Sequence, residues 1–514
     1  MDSCGCLPHF AQFCLACSFF LFTFRFPLFL AMSDIHLLPF TFWLSLAILI
    51  GAAVFGWRRR DCGWGYPLIA VCGTVIIWYH GDVLYNGYSN CEAMFQDKIL
   101  NTAWLEVALF GVALATFAKP VFYAFNFKLR NKKSSLEALL SGQTPLRRLQ
   151  PVIESVAIAM LVLWLCLFGV YVWGADGDFL GVLAPYIWEP QGGIGRGQLA
   201  ASLLDSIFIV LLTLSLLCAS MAGVCAVLLP NGLLRVATIL LTLVSWAPFL
   251  INRTRNFMLV VVLPAVLAQA FLRWRNKRAL QFVFLIVSFL AINLWFKFVI
   301  ANRSNTSIAI AVKSADVRAD NTDEEVRHLG FEMFQELCWV NSLMESGIYS
   351  PEWGMLYYAN FVNPIPRALW PGKPTMGLDY AIARGQLETQ EGGTTAGIST
   401  GLVGSGISNF GRLLGPIAAA FLMSIWCAFL ARLDLTGNID PARLLLCMLG
   451  LVLTFNFGRD ITIQIAYPLL FGFVALWLWR KVCPLTQAQH ADEKQISNRL
   501  SARQPATRLR RFPS

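Results

Sequence analysis

Charge is scarce in this chain. Only 14% of its 514 residues are Asp, Glu, Lys or Arg, against 57% that are hydrophobic. A soluble domain carries roughly a quarter charged residues, so a water-exposed globular protein is excluded. Nucleotide- and metal-handling motifs are also missing. There is no Walker A loop, no His-Glu-x-x-His pair and no credible nucleophile elbow. That argues against an ATP-driven transporter and a membrane metalloprotease. Fourteen cysteines are present, but Cys4-Gly-Cys6 and Cys14-x-x-Cys17 have no second pair at zinc spacing. No metal and no cofactor are expected. Most of the thiols lie in apolar runs or near the N-terminus, where cysteine behaves as a small hydrophobe. Cys91 and Cys338 fall in two segments of one side, which leaves a bridge between them open. Internal repeats are absent and most charges sit at the ends of apolar runs, which weighs against a transporter.

What is present is a series of apolar runs of roughly the length that a bilayer requires. They cover about 38–57, 66–80, 102–118, 153–173, 203–229, 236–250, 257–272, 279–300, 411–431, 443–458 and 461–479. A further apolar run at 10–31 holds only Arg25, lacks a basic flank before it, and leaves Met32 open as the start of a shorter chain. The pattern predicts an all-α polytopic membrane protein with about 11–12 transmembrane helices. The net charge of +10 does not point to nucleic acid, because the bases cluster beside apolar runs. Arg58-Arg59-Arg60, the segment 119–148, Arg273 to Arg278 and the tail after 480 fall on one side when spans are counted alternately. The positive-inside rule makes that side cytoplasmic. The chain then divides into a hydrophobic N-terminal segment (1–31), a first bundle (32–300), a long outer loop (301–410), C-terminal spans (411–480) and a basic tail (481–514).

The long loop has internal order. Thr322-Asp-Glu-Glu325 reads as a capping box, and Val326, Leu329, Met333, Leu337, Val340 and Met344 recur at helical spacing. The spacing predicts an amphipathic helix over 323–346 that lies on the membrane surface or covers the bundle, with Arg327, His328, Glu332 and Glu336 on its polar side. Next comes Asn363-Pro-Ile-Pro-Arg-Ala-Leu-Trp-Pro-Gly-Lys-Pro374. Its prolines force a stiff extended path, and it carries Arg367, Lys373 and the amphipathic ring of Trp370. A glycine-rich segment from Gly397 to Gly415 then leads into the next span, and glycine there permits tight turns and close backbone approach.

Cations on the outer side run against the positive-inside trend, so they mark a site. Arg253 and Arg255 lie in one short turn; Arg459 and Asp460 lie in another. Guanidinium groups brought together from separate turns suit an anionic ligand such as phosphate. Asp176-Gly-Asp178 is read as a turn rather than a metal-holding pair.

The stretch 360–374 resembles the Pro-Arg, Trp-Pro, Lys-Pro signature of bacterial oligosaccharide repeat-unit polymerases, which make O-antigen and exopolysaccharide. Asn252-Arg-Thr-Arg-Asn256 is similar to that family's Arg-containing turn, with Asn256 where glycine is usual. Ser399-Thr-Gly and Ser408-Asn-Phe-Gly411 are similar to its glycine-rich loop before a late helix. The resemblance implies a GT-C-like helical bundle with one long periplasmic loop, in the bacterial inner membrane. It implies glycosyl transfer between undecaprenyl-pyrophosphate-linked oligosaccharides, with inversion and without a metal. It implies as partners those lipids, the surrounding membrane, a chain-length regulator and a flippase. Arg255, Arg367 and Arg459 are the candidates to stabilise the departing pyrophosphate, supported by Arg253 and Lys373. The general base stays open among His328, Glu332, Asp379 and Asp460. Trp370, Arg327 and Glu332 are placed with the substrate-binding residues. The rivals are an O-antigen ligase and a lipid-linked oligosaccharide flippase.

Overall fold

A computed structural model describes residues 35–129, 131–141, 149–174, 203–251, 255–274, 276–301, 332–362, 369–370, 372–374, 377–385, 399–435, 441–459 and 463–482, with isolated positions at 177, 179, 182 and 365. Among the described residues all regular structure is helical. The expected runs at 10–31 and the turn Asp176-Gly-Asp178 lie outside this set, Gly177 excepted, as do the capping box at 322–325 and the tail after 482.

The described residues of the eleven apolar runs are largely helical, with short helices between them. In chain order the helices are α1 (Phe40–Arg58), α2 (Gly65–Val75), α3 (Gly81–Asn86), α4 (Tyr88–Met94), α5 (Asp97–Phe125), α6 (Ser135–Leu140), α7 (Gln150–Gly174), α8 (Leu203–Leu228), α9 (Leu233–Ile251), α10 (Arg255–Leu267) and α11 (Arg278–Ala301). Then come α12 (Met333–Glu345), α13 (Met355–Val362), α14 (Leu378–Ala383), α15 (Gly401–Asp434), α16 (Pro441–Phe457) and α17 (Ile463–Val482). A π turn at Ile76–His80 joins α2 to α3 without a break in the path. Five helical stretches are long and apolar enough to cross a membrane: 40–58, 65–84, 97–125, 150–173 and 401–434. Six shorter apolar helical stretches accompany them. Exposed Ile158, Val162, Leu165, Leu240, Leu243 and Leu294 lie along these helices. Apolar flanks of that extent belong in hydrocarbon, where the helix satisfies its own backbone.

The tightest packing joins α1, α2, α5, α15 and α16. Small residues set the crossings. A Cβ on Gly65 would lie 2.4 Å from the Gly56 carbonyl, so α1 and α2 meet backbone to backbone. Trp104 of α5 stacks on Phe334 at 3.9 Å and touches Phe42 and His80. A second group forms around α8, which packs on α7, α9 and α10. The residues from Leu470 onward form a separate unit, whose described part is the apolar end of α17.

Hydrogen bonds sort the turns into two ends. At one, Arg60 pairs with Glu137 at 3.0 Å, the Ser134 amide donates to Asp61 and the Leu136 amide donates to Asp434. At the other, the turns near 82, 98, 334, 345, 402, 412 and 458 meet. This grouping matches the alternate counting of spans at these turns.

Two expectations need correction. The glycine-rich approach is not a loop: α15 begins at Gly401, and residues 401–409 are all buried. A break at Gly411 (φ 76°) bends the chain so sharply that Gly406 and Gly415 meet. A Cβ on Gly406 would lie 2.3 Å from the Gly415 carbonyl. The glycines serve the close backbone approach expected of them, here between two helical stretches. The predicted helix at 323–346 is also not continuous, since Glu332 leaves helical geometry and α12 starts at Met333.

Candidate functional site at the α12 end of the bundle

The centre of this end is α12. Its apolar residues Met333, Leu337 and Val340 recur at helical spacing and are buried as expected. Its first amides need acceptors, and another helix supplies them. The Asp82 carboxylate, on α3, accepts from the Phe334 amide at 2.7 Å and from the Gln335 amide at 3.3 Å. Asn86 donates to the second Asp82 oxygen at 2.6 Å. Further along, Asn341 donates to Glu106 of α5 at 2.6 Å, and Arg412 donates to the Asn341 carbonyl at 2.7 Å. Glu345 receives Lys98 at 2.5 Å and Arg412 at 3.3 Å. These two cations hold its carboxyl below the usual range. α12 therefore does not lie loosely on a surface. It is wedged against α5 and α15 and fixed from both sides.

Glu336 was expected on the solvent face of this helix. It is buried instead, with the Tyr380 hydroxyl donating to it at 2.5 Å and Arg384 at 3.0 Å. The Arg384 guanidinium lies over the Trp339 ring, 4.0 Å from its centre. The physical reason is the approach of α14, which covers that face and brings its own cation. The ion pair thus ties the chain following the Pro-Arg stretch onto α12.

The first turn of α15 is capped by neighbours. The Leu402 amide donates to the Gly458 carbonyl, and the Val403 amide donates to the Tyr79 hydroxyl at 2.8 Å. Ser399 donates to the Arg459 carbonyl. The turn that carries half-buried Arg459 is thereby held at the same end as α12.

Over the Gly411 break sits the turn 351–354. Trp353 holds φ 49°, rare for a residue with a side chain, and the residue is 72% exposed. Such backbone strain costs about 1–3 kcal/mol and clusters at functional positions. Beside it the Glu352 amide donates to the Ser408 carbonyl at 2.8 Å, and Tyr349 donates to the Glu352 carboxylate at 2.6 Å. Burial pushes the Glu352 carboxyl up, and the charge of Asp379 adds to this, while the Tyr349 hydrogen bond pulls it down. Burial likewise raises the Tyr349 hydroxyl. A carboxyl poised above its ordinary value, next to exposed aromatic faces, suits proton abstraction from a sugar hydroxyl.

Of the sequence candidates, Asp379 is exposed on α14, and Glu332 is half-buried at the cap of α12. Trp370 is half-buried with its ring 6.4 Å from that of Tyr358. Lys373 is buried, and its ammonium donates to the Ile365 carbonyl at 2.9 Å, closing the proline-rich turn on itself. Arg255 is the first residue of α10; its side chain lies outside the described residues. Arg253, Arg327, His328, Arg367 and Asp460 lie outside them too. The convergence of Arg255, Arg367 and Arg459 therefore falls on positions of which only Arg459 is described in full. Cys91 and Cys338 are both free thiols and both buried. Among the described residues no cluster of metal-ligating side chains occurs.

Sequence reasoning passed over Glu352, Trp353, Tyr349 and Arg384. Pro351-Glu-Trp-Gly354 was the available signal, an acid and a large ring in a turn with proline before and glycine after. Compared with family models, with curated proteins and with solved structures, the chain matches none.

Proposed function

We propose that this chain is a membrane glycosyltransferase that joins oligosaccharide repeat units carried on a lipid pyrophosphate, working at the end of the bundle that holds α12, in the bacterial inner membrane. The observation that carries the reading is Glu352. It is a half-buried carboxyl in a strained turn, raised by burial and by Asp379, and flanked by Tyr349 and exposed Trp353. The Pro-Arg stretch, 363–374, follows 11–22 residues later in the same loop. In this mechanism Glu352 takes the proton of the acceptor hydroxyl as its oxygen attacks the anomeric carbon. The bond from that carbon to the pyrophosphate oxygen breaks, and the lipid pyrophosphate leaves. Arg255, Arg367 and Arg459 offset the charge that develops on it. Exposed Trp353, half-buried Trp370 and exposed Tyr358 offer ring faces for the apolar faces of sugars. Polar groups within the spans fit an enzyme better than a pump, since Asp82 and Glu106 are both engaged in seating α12.

The test is Arg367→Ala in a deletion strain, read as glycan length on a gel beside an immunoblot. One lost charge-assisted contact to the leaving group costs about 2–4 kcal/mol, roughly 30- to 1000-fold in rate. Long glycan should vanish and lipid-linked single repeats should accumulate at normal protein level, with Arg367→Lys restoring activity only in part. Full-length polymer from Arg367→Ala would remove this residue from the site.

A further inference from the structure

Away from that site, α2, α8, α10, α11 and α16 line a half-open cleft of about 660 Å³. Its walls are apolar, with Ile69, Leu267, Leu285, Ile292, Leu449 and Phe455 among them. The volume lies within the range of about 300–1,000 Å³ usual for a single-ligand pocket. Its wall on α11 runs from Arg278 to Ile292, about 21 Å at ~1.5 Å rise per residue. That is the shape of an extended chain rather than of a compact metabolite. Apolar walls hold water poorly, and a hydrocarbon chain lying along them gains dispersion contacts. The helices around it are membrane-length or apolar, so hydrocarbon is the surrounding medium.

One end is not neutral. Arg278 lines it and is exposed, with Lys277 beside it. Among the described residues, Arg273 and Glu137 nearby are engaged elsewhere. Arg273 donates to the Val227 carbonyl at 2.7 Å and so caps α8. Glu137 is held by Arg60 and Tyr66. Gln281 donates to the Ala270 carbonyl at 2.8 Å, which fixes the rim against the π turn Ala268–Arg273. Two exposed cations at the mouth of an apolar slot complement a phosphate headgroup above a hydrocarbon tail.

We propose that this cavity binds one acyl chain of an anionic phospholipid, with its phosphate against Arg278 and Lys277. The site lies at the basic end of the bundle, and the inference does not depend on glycosyl transfer. Lipid held there fills the gap between the α8 group and α16 and so acts as a structural part of the fold.

The experiment is native mass spectrometry of the full-length protein in mild detergent, with phosphatidylglycerol, phosphatidylcholine and undecaprenyl phosphate added in equal amounts. The wild type should retain one phosphatidylglycerol, preferred about tenfold over phosphatidylcholine. Arg278→Gln, at an exposed position, should keep its elution volume on size exclusion and lose that preference. Leu285→Trp, which fills the slot, should lose bound lipid altogether; Ala70→Phe fills it from α2 and serves where Leu285→Trp does not fold. Equal retention of the two phospholipids would overturn the proposal, as would an unchanged preference in Arg278→Gln. Undecaprenyl phosphate displacing phosphatidylglycerol would assign the slot to a carrier lipid instead. Retention of no lipid would mean that the chain fills the cavity itself.

Discussion

Helices α12 and α7 stand at opposite extremes of how a helix is held in this protein. α7 has 25 residues, is apolar on all sides, and leaves Ile158, Val162 and Leu165 more than half exposed. α12 has 13 residues, yet buries Glu336 and Asn341 among its apolar side chains. In hydrocarbon, apolar area gives no preference for one helix over another, because lipid tails serve as well. Position is then fixed by shape and by polar contacts. α7 relies on shape, helped by Cys218 lying 3.2 Å from the Met160 carbonyl. α12 is pinned at Asp82, Glu106, Arg384 and Arg412. A catalytic constellation needs the second kind of support, since small displacements cost large factors in rate. The polar knit marks where the structure is held rigid, and that is where the strained turn of Trp353 and the raised carboxyl of Glu352 are found.

The contrast breaks most visibly at glycine. Gly415→Leu places its Cβ about 2.5 Å from the Ile407 backbone, which cannot move aside as a flexible side chain does. A cost of at least about 3 kcal/mol is expected, with folded protein lost on fluorescence-detected size exclusion. Gly169→Leu in α7 has open space within 4 Å and should leave the yield unchanged. Equal yields from the two would mean that the α15 break is not a close contact.

The ion pair gives the next largest effect. Glu336→Ala leaves Arg384 facing a buried site alone, a loss of about 3–5 kcal/mol for a pair of this burial. Arg384→Ala should add little more in the double variant, because the two act as one unit. Glu345→Ala, at the exposed end of the same helix, should leave the melting temperature in detergent unaltered. Similar falls for Glu336→Ala and Glu345→Ala would place the two carboxylates in like surroundings and undo the account of α14.

These two cases also show what the sequence made legible. The apolar runs located the long helices, though Asp97–Phe125 and Gly401–Asp434 extend well beyond the runs at 102–118 and 411–431; hydrocarbon length and helical self-satisfaction leave few alternatives. The alternation of bases sorted the turns into the ends where they are found. Glu336 was misplaced because helical periodicity knows one helix at a time. Its own spacing puts it on the polar face; only the arrival of Tyr380 and Arg384 from α14 turns that face inward. The glycines from 397 to 415 signalled close backbone approach but not its partner, since Gly406 meets Gly415 only through the break at Gly411. Glu352 was missed because its perturbation comes from burial and from Asp379, 27 positions further on.

A smaller effect sharpens the role of that neighbour. Glu352 must be deprotonated to accept a proton, so activity should rise with pH through its raised value. Asp379→Asn removes one of the two causes that hold it up. The acid limb of the rate profile should then shift toward lower pH with the plateau rate little changed. A shift in the opposite direction would mean that the limb belongs to another group.

The most direct measurement is polymerisation of a lipid-pyrophosphate-linked repeat unit by the purified protein in vesicles, across pH, for the wild type and Glu352→Gln. The account predicts polymer from the wild type and a loss of roughly 10²- to 10⁴-fold in the variant, as for removal of a positioned base. It also predicts that the acid limb disappears while the melting temperature is kept. A Glu352→Gln protein that polymerises at the wild-type rate with the same pH profile would contradict it.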